Sequence, residues 1–151
     1  MRTAESEFHK VLDMEPNFLR AHYRLGMAYV RKGMFKEAIA ETQKAVALDR
    51  GDPIMLAQLG AIYAMCNEKR KALGILAKVQ ENHRQSGSMA DAIATIYATL
   101  NDKEQSLRWL NAAYEAHDPL LMDVNTDLYW GALRSDPRFK DFLRHMGFPG
   151  S

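Results

Sequence analysis

Few side chains in this 151-residue sequence could do chemistry: five histidines (His9, His22, His83, His117, His145), one cysteine (Cys66) and the arginines Arg20, Arg24 and Arg31. A helix that holds zinc needs paired histidines one turn apart, as in His-Glu-x-x-His, and no two of the five have that spacing. Each is therefore read as a packed or solvated side chain. Cys66 has no second cysteine for a disulfide or a shared metal, and it follows the apolar run Ile62-Tyr63-Ala64-Met65, where a thiol serves as a small buried hydrophobe. Gly26, Gly33, Gly60 and Gly74 are dispersed through helices and turns and form no loop that could cradle phosphate. These absences predict no enzyme activity, no cofactor, no metal and no small-molecule substrate. The arginines offer a different chemistry, recognition of carboxylate or phosphate.

Those residues must be carried on helices, because apolar positions recur at spacings of three and four. Ala21, Leu25, Ala28 and Tyr29 form one stripe, and Ala38, Ile39, Thr42, Ala45, Val46 and Leu48 form the next. No alternating pattern competes for strands. Breaks fall at Lys32-Gly33-Met34, Asn67-Glu68 and Asn101-Asp102, and Asp52-Pro53 opens a helix with a capping residue and a first-turn proline.

The stripes repeat. Leu25, Gly26 and Tyr29 are followed 34 residues later by Leu59, Gly60 and Tyr63, and 34 later again by Ile93, Ala94 and Tyr97. A small residue in the second helix, Ala38, Ala72 or Ser106, keeps the same step. A glycine where two helices meet, with a methyl group opposite, permits an approach that larger side chains would prevent. The tyrosines can fill the wedge between neighbouring units, with the hydroxyl near solvent or a backbone acceptor. The organisation predicted is one all-α domain over 1–151: a half unit at 1–18, full helix-turn-helix units at 19–52, 53–86 and 87–120, and a C-terminal cap at 121–151 with short helices near 127–134 and 137–146.

The pattern Leu25-Gly26-Met27-Ala28-Tyr29, with Ala38 nine residues on, resembles the tetratricopeptide repeat. The third unit departs from it with Ala94 for glycine, and the tryptophan-like first position is His22, Leu56 and Ala90. The resemblance implies a right-handed superhelix whose first helices line a concave binding surface. On that implication the partner groove consists of Arg20, Tyr23, Arg24, Met27, Val30 and Arg31, then Ile54, Ala57, Gln58, Ala61 and Met65, then Asp91, Thr95 and Thr99. A protein or peptide is the implied partner. Some relatives clamp an acidic chaperone tail with lysines and asparagines on these helices; Tyr23, Met27, Ala57 and Ala61 stand there instead, which argues against that ligand.

The alternative is self-association, as a homodimer through Phe8, Val11 and Leu12 of the half unit, or an intramolecular scaffold role. The stretch Leu133 to Gly147 resembles the ending of repeat regions in large bacterial signalling and regulatory proteins, which together with the unpaired first helix leads to the expectation that the chain is part of something longer. A formal charge of +1 and acidic residues interleaved with the basic clusters predict no nucleic-acid binding. With no run of 18 apolar residues and a charged N-terminus, a cytoplasmic, membrane-free location is expected.

Overall fold

The computed structural model describes residues 3–50, 53–87, 89–116 and 128–147. His117, the Asp52 cap and the stretch 117–127 lie outside the described residues, as do the side chains of Pro53, Ile54, Leu128 and Tyr129. Eight α-helices and a short 3-10 helix follow one another, and no strand occurs among the described residues. They are α1 (Ala4–Met14), α2 (Leu19–Arg31), α3 (Phe35–Leu48), α4 (Pro53–Met65), α5 (Lys69–Ser86), α6 (Ala90–Thr99), α7 (Lys103–Glu115), the 3-10 helix (Leu128–Leu133) and α8 (Pro137–His145). The chain is an all-α helical-repeat solenoid.

The turns within units are set by local chemistry that repeats with the sequence. Gly33, Asn67 and Asn101, at successive steps of 34, all have positive φ (73°, 67° and 64°). Glycine has no side chain to clash there, and asparagine is among the few others that visit the region readily. The residue after each sends its N–H back to a tyrosine carbonyl: Met34 to Tyr29 at 2.9 Å, Glu68 to Tyr63 at 2.8 Å, Asp102 to Tyr97 at 3.0 Å. Each first helix therefore ends with its last carbonyls satisfied and the chain reversed.

The reversal brings paired helices together with little room. A Cβ on Gly26 would come within 2.7 Å of Thr42 Oγ1, and one on Gly60 within 2.9 Å of Ile75 Cγ2 and 3.2 Å of Ile96 Cδ1. Ala38 and Ala72, expected opposite these glycines, are fully buried, and the Ala38 carbonyl lies 3.5 Å from a Cβ on Gly26; the tightest side-chain contacts come from Thr42 and Ile75, three or four residues further along the second helix, and from Ile96. Gly60 also shows a second role, because Ile96 lies on α6 of the next unit. In the third unit Ala94 and Ser106 stand at the corresponding positions, both buried, and Ser106 Oγ donates to the Ala94 carbonyl at 2.9 Å.

α5 runs through Ser86 and is capped by Gly87, so α6 begins only at Ala90 and is shorter than α2 and α4. The alanines of α6 (Ala90, Ala94, Ala98), with Leu107, Leu110 and Ala113 of α7, form a smooth apolar surface that buries Trp130, Leu133, Phe139, Phe142 and Leu143. Trp130 stacks on Phe139 with centroids 6.1 Å apart. The C-terminal elements thus cover the end of the array. Asp136 caps α8, accepting from the Arg138 N–H at 2.9 Å, with Pro137 in the first turn. The Arg138 guanidinium grips both Asp136 oxygens and also reaches Glu104 on α7.

Two outcomes follow. Gly60→Leu should destabilise the chain by about 1–3 kcal/mol, because neither Ile75 nor Ile96 can retreat without opening the core; an unchanged urea midpoint would contradict the contact. Hydrogen bonds from the Arg138 side chain and backbone hold the Asp136 carboxyl at about 2, below its ordinary value. A depressed carboxyl stabilises the fold above its unfolded pKa, and that contribution is lost as pH falls toward its folded value. The Trp130 indole resonance should therefore report cap loosening as pH falls from about 4 to about 2, with Asp136→Asn already loosened at neutral pH and changing less over that window. Equal acid responses in the two proteins would contradict the capping role.

Candidate functional site

The residues of the expected groove fall into two classes. On α2, Arg20, Arg24 and Arg31 are exposed, Tyr23 and Met27 are half-buried, and Val30 is buried. On α4, Ala57 and Ala61 are buried while Gln58 and Met65 keep part of their surface; on α6, Thr95 is buried while Asp91 and Thr99 are partly exposed. Ala57, Ala61, Thr95 and Val30 thus lie in the packing beneath the face, and accessible surface is supplied by the larger side chains around them. Met65 packs with Val30 and Ile62, joining α4 to α2. Thr95 and Thr99 turn their hydroxyls to carbonyls of their own helix, Thr95 to Asp91 at 2.9 Å and Thr99 to Ile96 at 2.8 Å.

The three arginines share one arc of α2. At about 100° per residue, positions 20, 24 and 31 fall within roughly 40° of one another, opposite the stripe that buries Ala21, Leu25 and Gly26. α2 carries no acidic residue, and α4, from Pro53 to Met65, carries no charged residue at all. Among the described residues nothing is paired with Arg20, Arg24 or Arg31.

The repeat tyrosines use their hydroxyls in a way that the sequence did not specify. His9 Nε2 and the Tyr29 hydroxyl are hydrogen-bonded at 3.3 Å, Gln43 Nε2 donates to Tyr63 at 2.8 Å, and Gln80 Nε2 donates to Tyr97 at 3.1 Å. In every case the partner sits on the second helix of the preceding unit, so the tyrosines bind neighbouring units to one another. Burial and the nearby Glu5 carboxylate push the Tyr29 hydroxyl up, which keeps its proton in place. Gln43 follows His9 by 34 residues, a signal present in the sequence; Gln80 is one helical turn beyond that register, reached because α5 is longer.

His22, at the tryptophan-like position, is a buried structural residue. Its Nδ1 is hydrogen-bonded with Glu41 Oε2 at 2.6 Å and its Nε2 with the Pro16 carbonyl at 2.7 Å, tying the turn before α2 to α3. It forms part of a cleft of about 660 Å³ between α1 and α3, lined also by His9, Leu12, Lys44, Ala47 and Leu48. Phe8, Val11 and Leu12 are half-buried, and α1 has no fully buried residue. His83 accepts from the Met89 N–H at 3.2 Å and lies edge-on to Trp109, again a packing role. Among the described residues no three His, Cys, Asp or Glu side chains are grouped to hold a metal, and no helix is long and apolar enough to cross a membrane.

With this geometry in place, comparison with known proteins assigns the repeat. Residues 19–52, which span α2, its turn and α3, match the tetratricopeptide repeat family. This match assigns one tetratricopeptide repeat within the chain, at residues 19–52. The chain is also similar to anaphase-promoting complex subunit 3 of the yeast Schizosaccharomyces pombe, 23% identical over 104 residues. That stretch covers 69% of this chain and 16% of the yeast protein, so the chain corresponds to a small part of that relative's length. Tetratricopeptide-repeat character supports a general role in protein–protein interaction.

Proposed function

We propose that this tetratricopeptide-repeat array holds a peptide or protein segment on the concave face made by its first helices, α2, α4 and α6. The observation that carries the reading is the unpaired arginine arc of α2 beside the uncharged α4: a recognition surface whose charge is not neutralised within the described chain. Half-buried Met27 and Met65 add adaptable apolar contacts at its edges. The printed name of the yeast relative describes a subunit of a multiprotein complex, and a place within an assembly fits a chain with this surface. A bound segment would lie along the face in extended or helical form.

A second reading, self-association, is favoured by a different observation. Met14 is 84% exposed and Phe18 42%, beside the cleft between α1 and α3 that Leu12 helps to line. An apolar projection next to an apolar recess is suited to a second copy of the chain.

One experiment separates the two. A photoreactive amino acid is placed singly at Arg24 on the first-helix face, at exposed Ala77 on α5 and at Met14, and the products formed in source lysate are identified. Crosslinks to another protein from position 24 but not 77 are expected for groove binding, and crosslinks to the same chain from position 14 for self-association. Partners captured only from position 77, with none from 24, would overturn the first reading.

A further inference from the structure

We infer that His22 and Glu41 hold one proton between them in the folded chain, and that its withdrawal as pH rises undocks α1, which makes the half unit a pH-sensitive element. Donors and acceptors around the ring fix the proton. Nε2 lies 2.7 Å from the Pro16 carbonyl and Nδ1 lies 2.6 Å from Glu41 Oε2. A backbone carbonyl only accepts, so Nε2 carries a hydrogen. A neutral imidazole has just one N–H, which leaves a lone pair on Nδ1. A lone pair facing an ionised carboxylate is repelled by it, and a 2.6 Å contact forms only with a hydrogen between the two atoms, bonded to either one. The pair therefore carries one proton more than a neutral imidazole and an ionised carboxylate together. His22 and Glu41 expose only 7% and 14% of their side chains, so little water is at hand to replace either bond.

Among the described residues, the neighbouring charges do not take over this role. On α3, Lys44 Nζ lies 3.3 Å from the other Glu41 oxygen and donates to the carboxylate, not to Nδ1. On α2, the Tyr29 hydroxyl has Glu41 among its neighbouring carboxylates, with Glu5 and Glu37, and is hydrogen-bonded with His9 of α1. His9 and Asn17 line the cleft beside His22, and Lys32 is engaged by Glu5. When the proton leaves, the ring keeps Pro16 or Glu41 and loses the other, and the turn leading out of α1 is no longer tied to α3. α1, which has no fully buried residue, is the element that such a loss frees first. Its release opens the cleft and uncovers Ala47 and Leu48 of α3. Because the proton is bound in the docked state, its stabilisation is full at low pH and is lost as pH rises through the point at which the docked pair gives it up.

The test is NMR of the full chain, following the His22 ring nitrogens and the α1 amides as pH is raised from about 5 until the ring signals change. The amides of Phe8 and Val11 are expected to leave their docked positions in the same step as the ring. Glu41→Gln supplies an amide N–H to Nδ1 of a neutral ring, so in that variant α1 should stay docked throughout. If the variant misfolds, urea unfolding of the native chain replaces it, and the unfolding constant should rise by up to about tenfold per pH unit as that step is approached. An α1 that stays docked after the His22 ring has changed, an equal response in Glu41→Gln, or an unfolding constant indifferent to pH across the step would overturn the inference.

Discussion

Every packed unit in this chain depends on the space left by one missing or minimal side chain in its first helix, because the helices cross where Gly26, Gly60 and Ala94 sit. At Gly26 the limiting neighbour is Thr42, within the same unit; at Gly60 it is both Ile75 of the same unit and Ile96 of the next. A contact of that second kind couples units as well as helices. With backbones this close, core side chains on each helix are restricted to a narrow set of sizes. The tyrosine hydroxyls extend the coupling toward the N-terminal side, each held by a side chain of the preceding unit.

Much of the fold was legible because the physics that builds a repeat is local and recurs. The glycine and asparagine positions of the turns, the small residues at the crossing and the helical stripes all report backbone geometry, which sequence spacing encodes directly. Less legible were contacts set by where helices lie in space. Ala38 stands opposite Gly26 as expected, through its carbonyl, but the side chains that close most tightly on Gly26 and Gly60 are those of Thr42, Ile75 and Ile96, because a side chain on a helix leans toward the preceding turn and meets a neighbour further along. His22 took the place of a large aromatic by adding two hydrogen bonds, a substitution that composition could not reveal. The length of α5 has the same origin: it runs to Ser86, where Gly87 with positive φ caps it.

The candidate site was legible as a face and only partly as a list of residues. Helical register placed Arg20, Arg24 and Arg31 together and opposite the core. It could not say that Ala57, Ala61 and Thr95 lie beneath the surface, since the burial of a small residue depends on the neighbours that cover it. The accessible surface of that face is accordingly supplied by long side chains at the edges of the first helices, above small residues buried by the packing of the array.

The central claim, that Gly60 joins the second and third units into one cooperative body, is tested most directly by native-state hydrogen exchange. The account predicts that amides of Leu59–Tyr63 on α4 and Ile93–Ala98 on α6 share the slowest exchange and the same dependence on denaturant, as members of a single unfolding unit. Fast, independent exchange of α4 while α6, α7 and α8 remain protected would contradict it.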